Sequence, residues 1–155
     1  MTDKPVVYLA GPVAHTENAN SWRTGIKKSH GDEYEFLDPL NKYDVPTDDL
    51  EVVDDYVTDD PTKVAVDEIV ENDKEMIERC DGVLVGYEPV RSVGTPMEVM
   101  FAYARNIPVT IWKQYGEQKL SPWYRYHAEE ITPNPGIALS VLKAHIPPKT
   151  ETNHV

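Results

Sequence analysis

Two stretches of this chain are apolar without a break, Val6-Val7-Tyr8-Leu9-Ala10 and Gly82-Val83-Leu84-Val85-Gly86. A strand with one wet face alternates apolar and polar residues, whereas an unbroken apolar strand needs cover on both faces. The chain between and after them supplies that cover. Thr62 to Cys80 reads as an amphipathic helix, with Val66, Val70, Ile77 and Cys80 on one stripe and Ile69 and Met76 beside it. Asn20 to Lys28, Thr95 to Asn106 and Pro135 to His145 read as further helices, the first with Trp22 and Ile26 one turn apart. Tyr34 to Leu37, Pro108 to Trp112 and Glu130-Ile131 complete a set of five strands. Strands alternating with helices predict an α/β fold, a five-stranded, mainly parallel sheet between two helical layers. In such sheets ligands bind beyond the carboxyl ends of the strands. Three places qualify: the turn after Tyr8, the loop after Tyr87 and the loop after Trp112.

A length of 155 residues suits one domain with a real core. We expect that domain over residues 1–146, with 147–155 as a flexible tail. Asn41 to Pro61, acidic and punctuated by proline, reads as a surface loop of a length that is often functional or mobile. Twenty-seven acidic against fifteen basic residues give a net charge of −12, a field that repels polymeric nucleic acid and anionic membrane. No apolar run approaches the roughly 18 residues a membrane span needs. Met1 to Pro5 has no apolar leader, and the single Cys80 builds no disulfide framework. The cytoplasm is the expected compartment. The acidic pairs between Asp48 and Asp60 lack the glycine and final glutamate of a calcium loop, so solvated charge explains them better than a metal. The five histidines show no ligand spacing, and there is no dinucleotide or triphosphate fingerprint.

Two carboxylates stand out. In Ser92-Val93-Gly94-Thr95-Pro96-Met97-Glu98, Gly94 allows a tight turn and close backbone approach to a ligand. Thr95 suits a helix N-cap and Pro96 the first helical position, which puts Glu98 in the first turn at the mouth of the cleft. A capping box, with Glu98 returning to Thr95, is the alternative. Asp73 sits on the stripe 66, 70, 73, 77, 80, where the pattern asks for an apolar residue. A lone buried carboxylate costs several kcal/mol unless it is paired or protonated. An exposed helix end or a local cap is the other reading. Tyr8 is either a core aromatic or a hydrogen-bond donor to a carboxylate over the cleft. Two carboxylates converging on one cleft follow the logic of a retaining glycosidase, one attacking the anomeric carbon and the other handling the leaving group's proton. Cys80, on a helix face judged to be buried, does not look like a reactive thiol.

Val7-Tyr8-Leu9-Ala10-Gly11-Pro12, Asn72-Asp73, Asp81-Gly82-Val83-Leu84-Val85, Ser92 to Glu98, Ala102-Tyr103-Ala104 and Ile107-Pro108-Val109, in that order, resemble the nucleoside 2-deoxyribosyltransferase family. The resemblance implies a flavodoxin-like fold and a covalent deoxyribosyl intermediate on Glu98, oriented by Tyr8. Asp73 would bind sugar or base and assist proton transfer. Gly11, Pro12, Ser92, Gly94 and Thr95 would line the substrate site. No metal or organic cofactor is implied. Transferases of the family pass the sugar to a second base, while hydrolytic relatives pass it to water. Ser92 stands where typical transferases carry an aspartate, and resembles the branch that hydrolyses deoxynucleoside 5'-monophosphates; Arg91, His15 and Arg23 are candidate charges for a phosphate. Pro12, where that branch has a serine, points the other way. A nucleotide-binding module without turnover is the rival from another class. The resemblance also implies a homodimer or larger assembly. Ser121 to His127, read as an aromatic loop with Trp123, either completes a neighbour's site or stacks a base in its own.

Overall fold

The computed structural model describes residues 4–43, 45–55, 59–115 and 119–147. Strand β1 (Val6–Ala10) leads to helix α1 (Ala19–His30) and strand β2 (Glu35–Leu37). A short 3-10 turn at Thr47–Asp49 precedes β3 (Glu51–Val53) and β4 (Lys63–Ala65), after which come α2 (Val66–Arg79) and β5 (Gly82–Tyr87). The chain continues through α3 (Gly94–Ala104), β6 (Val109–Lys113), α4 (Pro122–His127), β7 (Glu130–Thr132) and α5 (Pro135–His145). The main sheet is parallel throughout, in the order β2-β1-β5-β6-β7. This is the flavodoxin-like arrangement, and its strand order reverses direction between β1 and β5.

The unbroken apolar strands are covered on both faces. Val7, Leu9 and Leu84 point toward α1 and α5, where they meet Trp22, Ile26, Leu139 and Leu142. Tyr8, Ala10, Val83 and Val85 point the other way, toward Ile77, Val99 and Ala102 of α2 and α3. Trp22 lies flat against the glycines of two neighbouring strand ends. A Cβ added at Gly86 would sit 2.6 Å from its ring, and one at Gly11 would sit 2.9 Å from it.

Several local expectations change. The segment 41–61 is more than a surface loop: Glu51–Val53 pairs in parallel with Lys63–Ala65 as a second, two-stranded sheet. That pairing consumes the residues expected to open α2. The helix starts at Val66 instead, where Glu68 Oε1 accepts the Ala65 N–H at 3.2 Å. The upper half of the α2 stripe is open, with Val66 39% and Val70 44% exposed, while Ile77 and Cys80 are buried. Ser121 to His127 is a helix, capped by Ser121 Oγ, which accepts the Trp123 N–H at 3.1 Å. The tail from residue 148 lies outside the described residues. Among those described, no helix is long and apolar enough to cross a membrane.

Gly86→Ala forces its methyl into the Trp22 ring, so it should destabilise the protein by about 1–3 kcal/mol, as overpacking does. Gly25, in the middle of α1 with open space around it, is the control. Gly25→Ala should raise the melting temperature slightly, by up to about 1 kcal/mol of helix propensity. Thermal unfolding of the two variants checks both signs.

Candidate active site

The reversal of strand order leaves a cleft above β1 and β5, and three elements deliver side chains to its floor. Tyr8, at the centre of β1, is fully buried and pairs in register with Leu37 and Val83. Its ring belongs to the core, yet its hydroxyl donates to Glu98 Oε2 at 2.7 Å. Both sequence alternatives for Tyr8 are therefore realised at once. Glu98 stands in the first turns of α3, and Asp73, half-buried in the middle of α2, hydrogen-bonds to it. The result is a continuous chain from Tyr8 through Glu98 to Asp73.

The capping-box alternative for Glu98 does not hold, since its carboxylate serves Tyr8 and Asp73. Thr95 is not the N-cap either. It lies inside α3, and its N–H donates to Ser92 Oγ at 3.3 Å, while Ser92 Oγ donates to Thr95 Oγ1 at 2.8 Å. The helix opens at Gly94 with Val93, which has no capping side chain, in the N-cap position, and Ser92 Oγ serves the Thr95 N–H from one residue further out. Gly94 needs no left-handed backbone, and the space where a side chain would project is empty. Cys80 is buried, and burial pushes its thiol up to about 12, so it stays inert.

Burial dominates the electrostatics. It pushes the Glu98 carboxyl from its ordinary 4.5 up to about 8; the Tyr8 hydrogen bond and the Arg23 charge oppose it, and Asp73 reinforces it. Burial also raises Asp73, against the pull of Lys42, Glu98 and Arg23. Two carboxyls in hydrogen-bond contact cannot both ionise cheaply, so the pair keeps a shared proton to higher pH than either would alone. The Tyr8 phenol is raised as well, by burial and then by the two carboxylates, and stays a donor.

Arg23 is no surface charge. It is 1% exposed and spends its guanidinium on the carbonyls of Leu9 (3.3 Å), Ala19 (2.7 Å) and Gly11 (3.1 Å), with Asp38 at 3.8 Å. It braces the turn after β1 and sets a fixed positive charge beneath the carboxylates. Its signal in the sequence was its place in the buried series Ala19, Trp22, Arg23, Ile26, where a charge breaks the apolar stripe.

Asp73 and Glu98 line two cavities. One, of about 370 Å³, is walled by Gly11 and His15 from the turn after β1 and roofed by Tyr43, Leu50, Val52 and Val64. His15 holds a left-handed backbone, φ 65°, at the rim. The other, about 690 Å³ and largely apolar, opens between α2, α3 and α4, where it meets Gly94, Met97 and Trp123. Pro12, Ser92 and Thr95 share a separate cavity of about 250 Å³ with the buried Glu88. Thr16 Oγ1 donates to both Glu88 oxygens, at 2.8 and 3.0 Å. The structure thus joins Glu98, Asp73, Tyr8 and Gly11 in one cleft and sets Ser92, Thr95 and Pro12 beside it. Trp123 lies on the far side of the carboxylates, 70% exposed. Lys42, Tyr43 and Glu88 had no signal in the sequence, because a charged or aromatic residue in an irregular segment belongs to no periodic pattern. Among the described residues, no cluster of three or more His, Cys, Asp or Glu is placed to hold a metal ion.

A doubly wound α/β domain places its ligand cleft at such a switch point, and here paired carboxyls line it. The family model described as Nucleoside 2-deoxyribosyltransferase matches residues 7–134, and the chain belongs to that family, whose members act on the N-glycosidic bonds of nucleosides. No curated protein matches the chain.

Glu98 binds its proton more tightly folded than unfolded, so its contribution to stability is complete below about 4.5 and is lost as pH rises through about 8. Glu98→Gln removes that titration. The melting temperature of the variant relative to wild type should therefore climb across this window, and a flat difference would show a solvated carboxyl. Tyr8→Phe keeps the ring and removes the donor, so the Glu98 midpoint, read by carboxyl 13C NMR, should move higher still.

Proposed function

We propose that the protein is a nucleoside 2-deoxyribosyltransferase-like enzyme that works through a covalent sugar on Glu98. The observation that carries this reading is the hydrogen-bond chain Tyr8–Glu98–Asp73 on the floor of a roofed cleft. In the first step a Glu98 oxygen bonds to C1' of the deoxyribose and the C1'–N bond breaks. Its electron pair leaves with the base, which takes up the proton held by Asp73. In the second step the nitrogen of an incoming base attacks C1', its proton returns to Asp73, and Glu98 is freed. The close approach of the two carboxyls supports this double displacement, whose carboxyl pairs stand roughly 5–5.5 Å apart. An inverting mechanism needs them roughly 6.5–9.5 Å apart, with a water between. Tyr8 holds the Glu98 carboxylate in one orientation while it is negative.

Hydrolysis of 5'-monophosphates keeps the same residues and finds support in Ser92. The surroundings of Ser92 favour a neutral 5'-hydroxyl instead. Its oxygen is committed to Thr95, Pro12 offers no N–H, and buried Glu88 lines the same cavity, where a phosphate dianion would meet a carboxylate. The apolar cavity beside Asp73 and Glu98, with Val70, Met97, Met100 and Trp123 exposed around it, supports a second copy covering that face as a homodimer or larger assembly. The cytoplasm is the compartment we assign, on the single free Cys80.

Chromatography of free base from deoxynucleosides and their 5'-monophosphates, with and without a second base, tests the reading. Base exchange that needs an acceptor and falls by at least about a thousandfold in Glu98→Ala is expected, since loss of a nucleophile removes the covalent route. Release from monophosphates into water alone would move the assignment to the hydrolase. Binding without cleavage of any substrate would leave a nucleotide-binding module.

A further inference from the structure

The segment between β2 and α2 sends a cation, Lys42, to the site. Lys42 Nζ donates to Asp73 Oδ1 at 3.2 Å. The pair is largely enclosed, the two side chains being 23% and 20% exposed, and the Lys42 ammonium also lies 5.3 Å from the ring centre of its neighbour Tyr43. A half-buried ion pair at a reacting group differs from a surface pair, whose median worth is near zero. It extends the chain of hydrogen bonds by one member, to Lys42–Asp73–Glu98–Tyr8.

We propose that Lys42 is a positioning residue for the glycosidic step, acting through Asp73: its ammonium fixes the Asp73 carboxyl and stabilises the carboxylate left when the proton goes to the departing base. The proposal rests on the glycosidic reading given above. As the C1'–N bond breaks, the base nitrogen gains the bonding pair and takes the Asp73 proton. Asp73 becomes an anion next to Glu98, whose own charge is being spent on the new bond to C1'. Without a partner that new anion would be stranded in a desolvated site. Lys42 is 3.2 Å away and supplies the partner, so Asp73 acts as a stronger acid.

The other charged and titratable groups interacting with Asp73 are Glu98 from α3, Tyr8 from β1, Arg23 from α1 and Tyr43 beside Lys42, and His15, Lys74 and His127 line the cavities it shares. Arg23 is committed to three carbonyls and cannot follow a moving proton, whereas Lys42 makes one side-chain contact besides its ring neighbour. A purely structural role, tying the roof to α2, is the competing account, and it predicts a different pattern of loss.

Lys42→Met and Lys42→Arg, in the full chain and at matched folding by circular dichroism, separate the two. For Lys42→Met we expect kcat for base release to fall by about tenfold or more, within what a general acid supplies, with KM changed much less. The alkaline limb of the kcat/KM profile, and the Asp73 midpoint by carboxyl 13C NMR, should both move to higher pH, since the cation that favours the carboxylate is gone. Lys42→Arg should restore both. Wild-type turnover with an unmoved limb and midpoint in Lys42→Met, or the same loss at every pH, overturns this inference alone. No base release by the wild type from any deoxynucleoside overturns the glycosidic reading, and this inference with it.

Discussion

The hydroxyl of Tyr8 reaches out of the core to a carboxyl that burial disfavours as an anion, and the site is organised around that contact. The Glu98 carboxyl is packed among protein groups at the floor of its cavities, so its neighbours act at short range with reduced screening. Tyr8 and Arg23 favour the anion, and Asp73 opposes it. The sheet makes this balance stable. Tyr8 is locked between β2 and β5, Arg23 is anchored on the carbonyls of Leu9, Gly11 and Ala19, and Trp22 fills the gap left by two glycines. A carboxyl whose titration burial raises, with a hydrogen-bond donor already in place, matches the general way in which sites tune carboxyls.

The segment between β2 and α2 plays the complementary part. Its two short strands pair with each other and not with the main sheet, so it forms a unit that roofs the cleft. The roof presents the largely apolar side chains of Tyr43, Leu50, Val52 and Val64, while the floor presents charge. The acidity of the segment fits this placement, since its excess charge faces solvent: Glu51, Asp54, Asp55 and Asp59 are exposed.

Much of the fold was legible because periodicity is a local signal. The stripes of α1 and α2, the unbroken strands β1 and β5, and α5 at Pro135–His145 follow from the spacing of apolar residues. Asp73 was legible as an exception to such a stripe, and Arg23 would have been by the same test. The boundary of α3 was misjudged, because Ser92, Thr95 and Pro96 all carry helix-start chemistry, yet the backbone turns into the helix at Val93-Gly94, ahead of Thr95. The strands β3 and β4 left no trace, being three residues each and made favourable only by each other. The α2 stripe also promised more burial than a single chain provides, since Val66 and Val70 face open space.

By itself, then, the sequence determined the α/β class, the layers that flank the sheet, Asp73 as the exception to its stripe and Glu98 near the start of α3. All of these follow from interactions within a few turns of chain, or from motifs a few residues long. The tertiary structure alone decided that Tyr8 serves both core and site, that Lys42 meets Asp73 and that Glu88 stands beside Ser92. Those contacts join residues 90, 31 and 70 or more positions apart, as with Tyr8–Glu98, Lys42–Asp73 and the bonds that fix Glu88. No local preference encodes a contact across such a separation; it exists only once the sheet has closed and burial has made an unpaired charge too costly to leave alone.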